Sequence, residues 1–197
     1  MKDMMLIENM FSVKDRIVLV TGCGGVATAN ARCFAKNGAT VVMASRRMEK
    51  VAEVQKLLTD EGLTIDGIQM DISCHEDIIE KVAQVAAKYG RIDVLIHTAA
   101  TCHVENTLTF REDEIRKTFE TNLLGTIFLN QEVGKIMVNH GFGRIINYNS
   151  IDAFSVNAND AMAYAVSKSG VQQATRFFAV EMAPKGVTVN GIAPVWI

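Results

Sequence analysis

Two hydrophobic rhythms alternate along this chain. Short runs rich in Val and Ile are separated by longer stretches in which apolar residues recur every three or four positions. The short runs read as strands, because branched side chains fit a pleated surface, and the longer ones as helices with an apolar face. Strands are predicted near Ile17 to Val20, Thr40 to Ala44, Ile65 to Met70, Val94 to His97, Arg144 to Tyr148 and Thr188 to Ile192. Regular alternation of the two kinds predicts an α/β fold of three layers, a doubly wound parallel sheet with helices on both faces.

Glycines and capping patterns punctuate this order. Gly38, Gly62, Gly90 and either Gly141 or Gly143 fall where helices should stop, each shortly before a strand. Ser73 with Glu76, and Thr109 with Glu112, have the spacing of capping boxes and predict two helix starts. No linker, repeat or low-complexity segment interrupts the pattern, so residues 1 to 197 are expected to form one domain.

Composition narrows the partners. An apolar content of 49% suits a packed core, and a net charge of -2 with mixed signs offers no field for nucleic acid or an anionic membrane. The N-terminal stretch does not read as a secretory signal, and no run has the length of a membrane span, so a cytoplasmic location is expected. Cys23, Cys33, Cys74 and Cys102 lack framework spacing and read as reduced thiols. The steps Cys74-His75 and Cys102-His103 lack zinc-site spacing, so no metal is expected.

In open sheets of this kind the ligand crevice lies at the carboxyl ends of the strands. The first strand runs into "TGCGGVA", from Thr21 to Ala27, a glycine-rich turn whose amides and following helix start, placed at Ala27 to Asn30, are suited to a pyrophosphate. Later strand ends carry Ser45 and Arg46, Asp71, the "HTAA" stretch from His97, Ser150, and "GIAP" from Gly191. Fourteen residues after Ser150 stands Tyr164, and four further on Lys168. That step puts the two on one helix face, where Lys168 is expected to lower the Tyr164 pKa and Ser150 to bond the oxygen that Tyr164 protonates.

With these motifs in this order the chain resembles the short-chain dehydrogenases/reductases, NAD(P)-dependent oxidoreductases with one Rossmann-like domain. The resemblance rests on "TGCGGVA", Asp71, Asn122 in "NLLG", Ser150, "YAVSK" and "VNGIAP". It implies a sheet of order 3-2-1-4-5-6 and a catalytic set of Ser150, Tyr164, Lys168 and Asn122, with Tyr164 as acid or base. Asn122 would kink its helix and hold a water that passes protons to Lys168. Cofactor contacts are implied at Thr21, Gly22, Gly24, Gly25, Val26, Ser45, Arg46, Asp71, Ile72, Ala99, Tyr164, Lys168 and Pro194. The substrate would be a small carbonyl compound or alcohol. Homodimers or homotetramers are implied through the helices from Thr109 to about Asn139 and from Ala161 to about Met182, which carry apolar residues on more than one face.

Charge bears on the cofactor. The second strand ends in Ser45, Arg46 and Arg47, with no carboxylate to meet a ribose 2'-hydroxyl, which favours NADP and leaves NAD open. Three features depart from the family pattern. The glycine loop is one residue short and has Ala27 in place of its last glycine; "HTAA" stands for N-N-A-G; and the chain reads as C-terminally truncated, without the final strand and substrate lid. That stop is expected to leave the sixth strand open along one edge and Trp196 exposed on the rim. A non-catalytic dinucleotide-binding protein, or an inactive truncated fragment, is the alternative function.

Overall fold

A computed structural model describes residues 11–157 and 160–195. The chain order is β1 (Ile17–Thr21), α1 (Gly25–Lys36), β2 (Thr40–Ser45), α2 (Met48–Asp60), β3 (Asp66–Gln69), α3 (His75–Tyr89) and β4 (Val94–His97). It continues with α4 (Glu112–Phe119), α5 (Gly125–His140), β5 (Gly143–Tyr148), α6 (Met162–Met182) and β6 (Val187–Ile192). Six parallel strands form one sheet in the order β3-β2-β1-β4-β5-β6. The first connection runs outward from β1 toward β3 and the next crosses back to β4, so the strand order reverses beside β1, which opens the crevice there.

The strands read as nearly continuous apolar runs because helices cover both faces. Alternate residues of each strand feed separate cores. Leu19, Val42, Leu95 and Ile145 pack with Ile78, Val82, Leu129, Val133 and Met137 of α3 and α5. Val18, Val20, Val41, Met43, Val94 and Ile96 pack on the other face with Ala27 and Ala31 of α1 and Val51, Val54 and Leu58 of α2. All six predicted strands form, with ends shifted by a residue or so.

Gly38, Gly62, Gly90 and Gly141 take left-handed backbone at the helix stops, so Gly141 rather than Gly143 ends α5. The two capping boxes do not form. Cys74 and Arg111 are the N-caps, and neither provides a side-chain cap bond. Ser73 is engaged instead by Asp71, whose Oδ1 accepts from both its amide and its hydroxyl. At α4 the segment from Asn106 to Thr109 makes its own turn, and the helix starts after it with three acids, Glu112, Asp113 and Glu114, in the first turn, where the helix dipole favours them. Among the described residues β6 pairs only with β5 and stands at the sheet edge. The expectation for Trp196 lies outside the described residues.

Candidate active site

The glycine turn is built by what surrounds β1. Gly22 has φ of +95°, and a Cβ there would lie 2.8 Å from Thr98 Oγ1, so both conformation and space demand glycine. Gly24 and Gly25 face open space, leaving bare backbone at the mouth of the cleft. Helix α1 begins at Gly25, two residues earlier than expected, and so brings the amides of the shortened loop to the helix N-terminus.

Thr21, at the end of β1, points away from the cleft. It is fully buried, and its hydroxyl lies 2.6 Å from His97 Nδ1. His97 Nε2 lies 2.9 Å from Thr126 Oγ1, which donates its only proton to the carbonyl of Asn122. Thr126 must therefore accept from Nε2–H, and Thr21 must donate to Nδ1, which makes His97 a neutral tautomer. Burial pushes its pKa down to about 3, and the Lys168 charge acts in the same direction. His97 thus ties the cofactor turn to the helix carrying Asn122 and takes no part in proton chemistry. The Thr21 side chain is thus engaged by His97, and Thr21 is not part of the cleft lining.

Asn122 sits in a π-helical turn, Glu120–Leu124, between α4 and α5. The extra residue per turn frees local backbone groups, and the Asn122 side chain is turned onto the loop after β4. Its Oδ1 accepts from Thr101 N and its Nδ2 donates to Thr101 O, both at 2.8 Å, with a further bond to Ser167 Oγ at 3.1 Å. The implied break in the helix is present. Asn122 itself is buried and does not line the cleft.

The remaining predicted residues converge on one cleft of about 640 Å³. Its walls hold Gly22, Gly24, Gly25, Val26, Ser45, Arg46, Asp71, Ile72, Ala99, Ser150, Tyr164, Lys168 and Pro194. Arg47, which the charge argument named with Arg46, lines it too, as do Lys117, Thr121 and Asn149, which the sequence did not single out. Lys117 and Thr121 come from the segment just before Asn122, where position on a curved helix, not a motif, decides exposure to the cleft.

Lys168 is 4% exposed, and its Nζ donates to Tyr148 O at 2.7 Å. Burial pushes its pKa down to about 8. Tyr164 behaves differently from expectation. Burial raises the phenol above its ordinary value, the Ser150 hydroxyl opposes the rise, and negative charge at Cys102 and Asp152 reinforces it. The structure contains no lowering of Tyr164 by Lys168, because the ammonium lies over the ring, not beside the hydroxyl. Ser150 Oγ donates to Asp152 Oδ2 and accepts from Asp152 N, each at 3.1 Å.

The cleft suits a dinucleotide on its own features. A bare glycine turn and helix N-terminus lie at its middle, arginines lie at one end, and at the other Lys168 has, among the described residues, a protein partner for one of its three donors. The family profile described as "short chain dehydrogenase" matches residues 16–197. The chain belongs to the short-chain dehydrogenase family. A NAD-dependent glycerol dehydrogenase of Listeria innocua is 31% identical to this short-chain dehydrogenase, across 95% of this chain and 72% of its own length. The 3-oxoacyl-[acyl-carrier-protein] reductase of Rickettsia conorii is 30% identical, across 95% and 75%. Among solved structures, an actinorhodin polyketide ketoreductase with NADPH superposes with a TM-score of 0.88 at 31% identity, covering 93% of this chain and 71% of that one. This oxidoreductase family works with NAD(P), and relatives with either cofactor resemble this chain.

Proposed function

We propose that this short-chain dehydrogenase is an NADP(H)-dependent oxidoreductase that interconverts a small carbonyl compound and its secondary alcohol. The carrying observation is that Tyr164 and Lys168 open into the same cleft as the glycine turn and Arg46. When bound, the nicotinamide supplies or accepts the hydride. In the reducing direction the carbonyl carbon gains that hydride, the Tyr164 O–H gives its proton to the carbonyl oxygen, and the C=O becomes CH–OH. A phenol held above its ordinary pKa is protonated at neutral pH, which suits this acid role. Lys168 stands ready to bond a ribose hydroxyl with the donors that no described residue engages. Ser150 Oγ, whose proton goes to Asp152, orients a reacting carbinol hydroxyl as its acceptor, and a carbonyl oxygen once that proton turns toward it. Asn122 holds the Thr101 loop against α6 through Ser167.

Arg46 and Arg47 support NADP. Both are exposed at the cleft end past β2, where a 2'-phosphate can pair with a guanidinium. Exposed Val166, Phe177 and Val180 on α6 support self-association into a homodimer or homotetramer. No helix among the described residues is long and apolar enough to cross a membrane, and the four cysteines are unpaired, in keeping with a cytoplasmic setting.

The test is turnover of a panel of ketones and secondary alcohols, followed by nicotinamide absorbance, with Tyr164→Phe beside the parent chain. Loss of at least about a hundredfold in kcat with cofactor binding retained is expected. Cofactor binding without turnover in the parent chain would overturn the reading in favour of a non-catalytic dinucleotide-binding protein.

A further inference from the structure

Among the described residues Asp152 is the one acid bonded directly to the proposed reaction centre, and neither the Tyr-Lys pair nor the cofactor cleft uses it. It lies in a single 3-10 turn, Ile151–Ala153, whose N-cap is Ser150. Two reciprocal bonds hold it there: Ser150 Oγ donates to Oδ2, and the Asp152 amide donates to Ser150 Oγ. Asn157 Nδ2 bonds Oδ1 at 3.1 Å from the other side. Among the described residues no cation pairs with it, since Lys168, the nearest buried ammonium, is bonded to Tyr148 O. Its charge is felt by both Tyr164 and Cys102.

A carboxylate has about four acceptor positions, and Ser150 and Asn157 occupy two. Asp152 is half-buried and lies just behind Ser150, beside the cleft wall and not in its lining, with acceptor positions left over. We propose that Asp152 determines specificity, holding a negative charge one hydrogen bond beyond the reacting oxygen, so that the site takes vicinal diols and hydroxyketones and rejects substrates with a carboxylate beside the reacting carbon. A hydroxyl on the neighbouring carbon donates to the open oxygen of Asp152 while Tyr164 holds the reacting oxygen and Ser150, its own proton given to Asp152, accepts from the carbinol hydroxyl. An anion in that place meets like charge in a site from which water is partly withdrawn. An ammonium there is favoured for the opposite reason.

This inference rests on the oxidoreductase reading, and four secondary alcohols of one size separate the two. Propylene glycol, isopropanolamine, sec-butanol and lactate share a methyl on one side of the carbinol. They differ in carrying hydroxymethyl, aminomethyl, ethyl or carboxylate on the other. The measurements are kcat/KM with the oxidised cofactor and dissociation constants by calorimetry on the cofactor-loaded protein. Propylene glycol and isopropanolamine are expected to exceed sec-butanol, and sec-butanol to exceed lactate, with at least roughly tenfold between the extremes. Asp152→Asn and Asp152→Ser are both expected to compress that ratio by about tenfold by removing the charge.

Equal ratios in parent and variants, or lactate preferred by the parent, would sink the Asp152 assignment while leaving the oxidoreductase reading standing. A chain that turns over none of the four but binds them in the expected order supports Asp152 and counts against catalysis. Failure to bind any of them overturns the proposal.

Discussion

The Lys168 ammonium lies over the Tyr164 ring, 5.6 Å from its centroid, and spends a hydrogen bond on the Tyr148 carbonyl, not on the phenol. A one-turn step on α6 makes this arrangement: both side chains leave the same helix face, but the longer lysine passes beneath the ring to the end of β5. The two groups are thereby neighbours without being partners. Lys168 is buried at a cost to stability.

That cost predicts the behaviour of Lys168→Met. With a pKa near 8 in the fold and 10.5 when unfolded, the lysine binds fewer protons in the folded chain between those values, so stability rises with pH across that window. Below pH 8 the full penalty of burying the charge is present. At pH 7 the variant should gain about 1–2 kcal/mol in urea unfolding, after allowance for the orphaned Tyr148 carbonyl, while losing turnover. Its stability should also be nearly flat from pH 8 to 10.5, a difference visible in urea midpoints taken along the pH scale.

His97 predicts the opposite limb. Its folded value near 3 lies below the unfolded 6.5, so the unfolded chain takes up the proton first and stability is lost as pH falls through that range. The loss approaches the order of 4 kcal/mol at its limit. His97→Asn removes the titrating group and should flatten the urea midpoint between pH 6.5 and 4 relative to the parent, whatever its stability at neutral pH. A parallel pair of curves would exclude His97 as an acid-labile group.

Arg46→Ala should lower affinity for NADPH by roughly tenfold to a hundredfold, the worth of a charge-assisted hydrogen bond, and leave that for NADH within about twofold. Titration calorimetry with both cofactors measures it. An equal loss for the two would move the 2'-phosphate away from this arginine.

Gly125 opens α5 with ordinary helical backbone, so its need is for space, not conformation. A methyl there would press on the main-chain oxygen of Ile72, which lines the cleft. Gly125→Ala is expected to cost about 1–3 kcal/mol of stability. Affinity for the dinucleotide should weaken with it, as the Ile72 wall moves. The same substitution at Gly62, where no atom lies within 4 Å, should leave the cofactor affinity unchanged.

Much of this was legible in the chain because local rules carried it. Apolar runs flanked by glycines set the strands, since a parallel sheet buried on both faces needs continuous β-branched stretches and each helix needs a stop before the next strand. Tyr164 and Lys168 could be paired from their spacing alone, and Ser45, Arg46, Asp71 and Ser150 could be set at one rim from strand ends. The two helix starts failed for local reasons that the capping-box spacing does not show. Ser73 was free to cap α3 until Asp71 claimed its amide and hydroxyl, while a turn at Asn106 withheld Thr109 from α4.

What the sequence determined by itself was the order of layers and the crevice, which follow from periodicity and from where strands end, and with them most of the polar residues that gather at that rim. Only the tertiary structure decided which polar groups satisfy each other. It turned Thr21 inward to His97, engaged Asn122 with Thr101 and Ser167, and sent Lys168 to Tyr148 O. Burial makes each polar atom find a partner, and the available partner is set by distances across the packed fold that no spacing along the chain encodes.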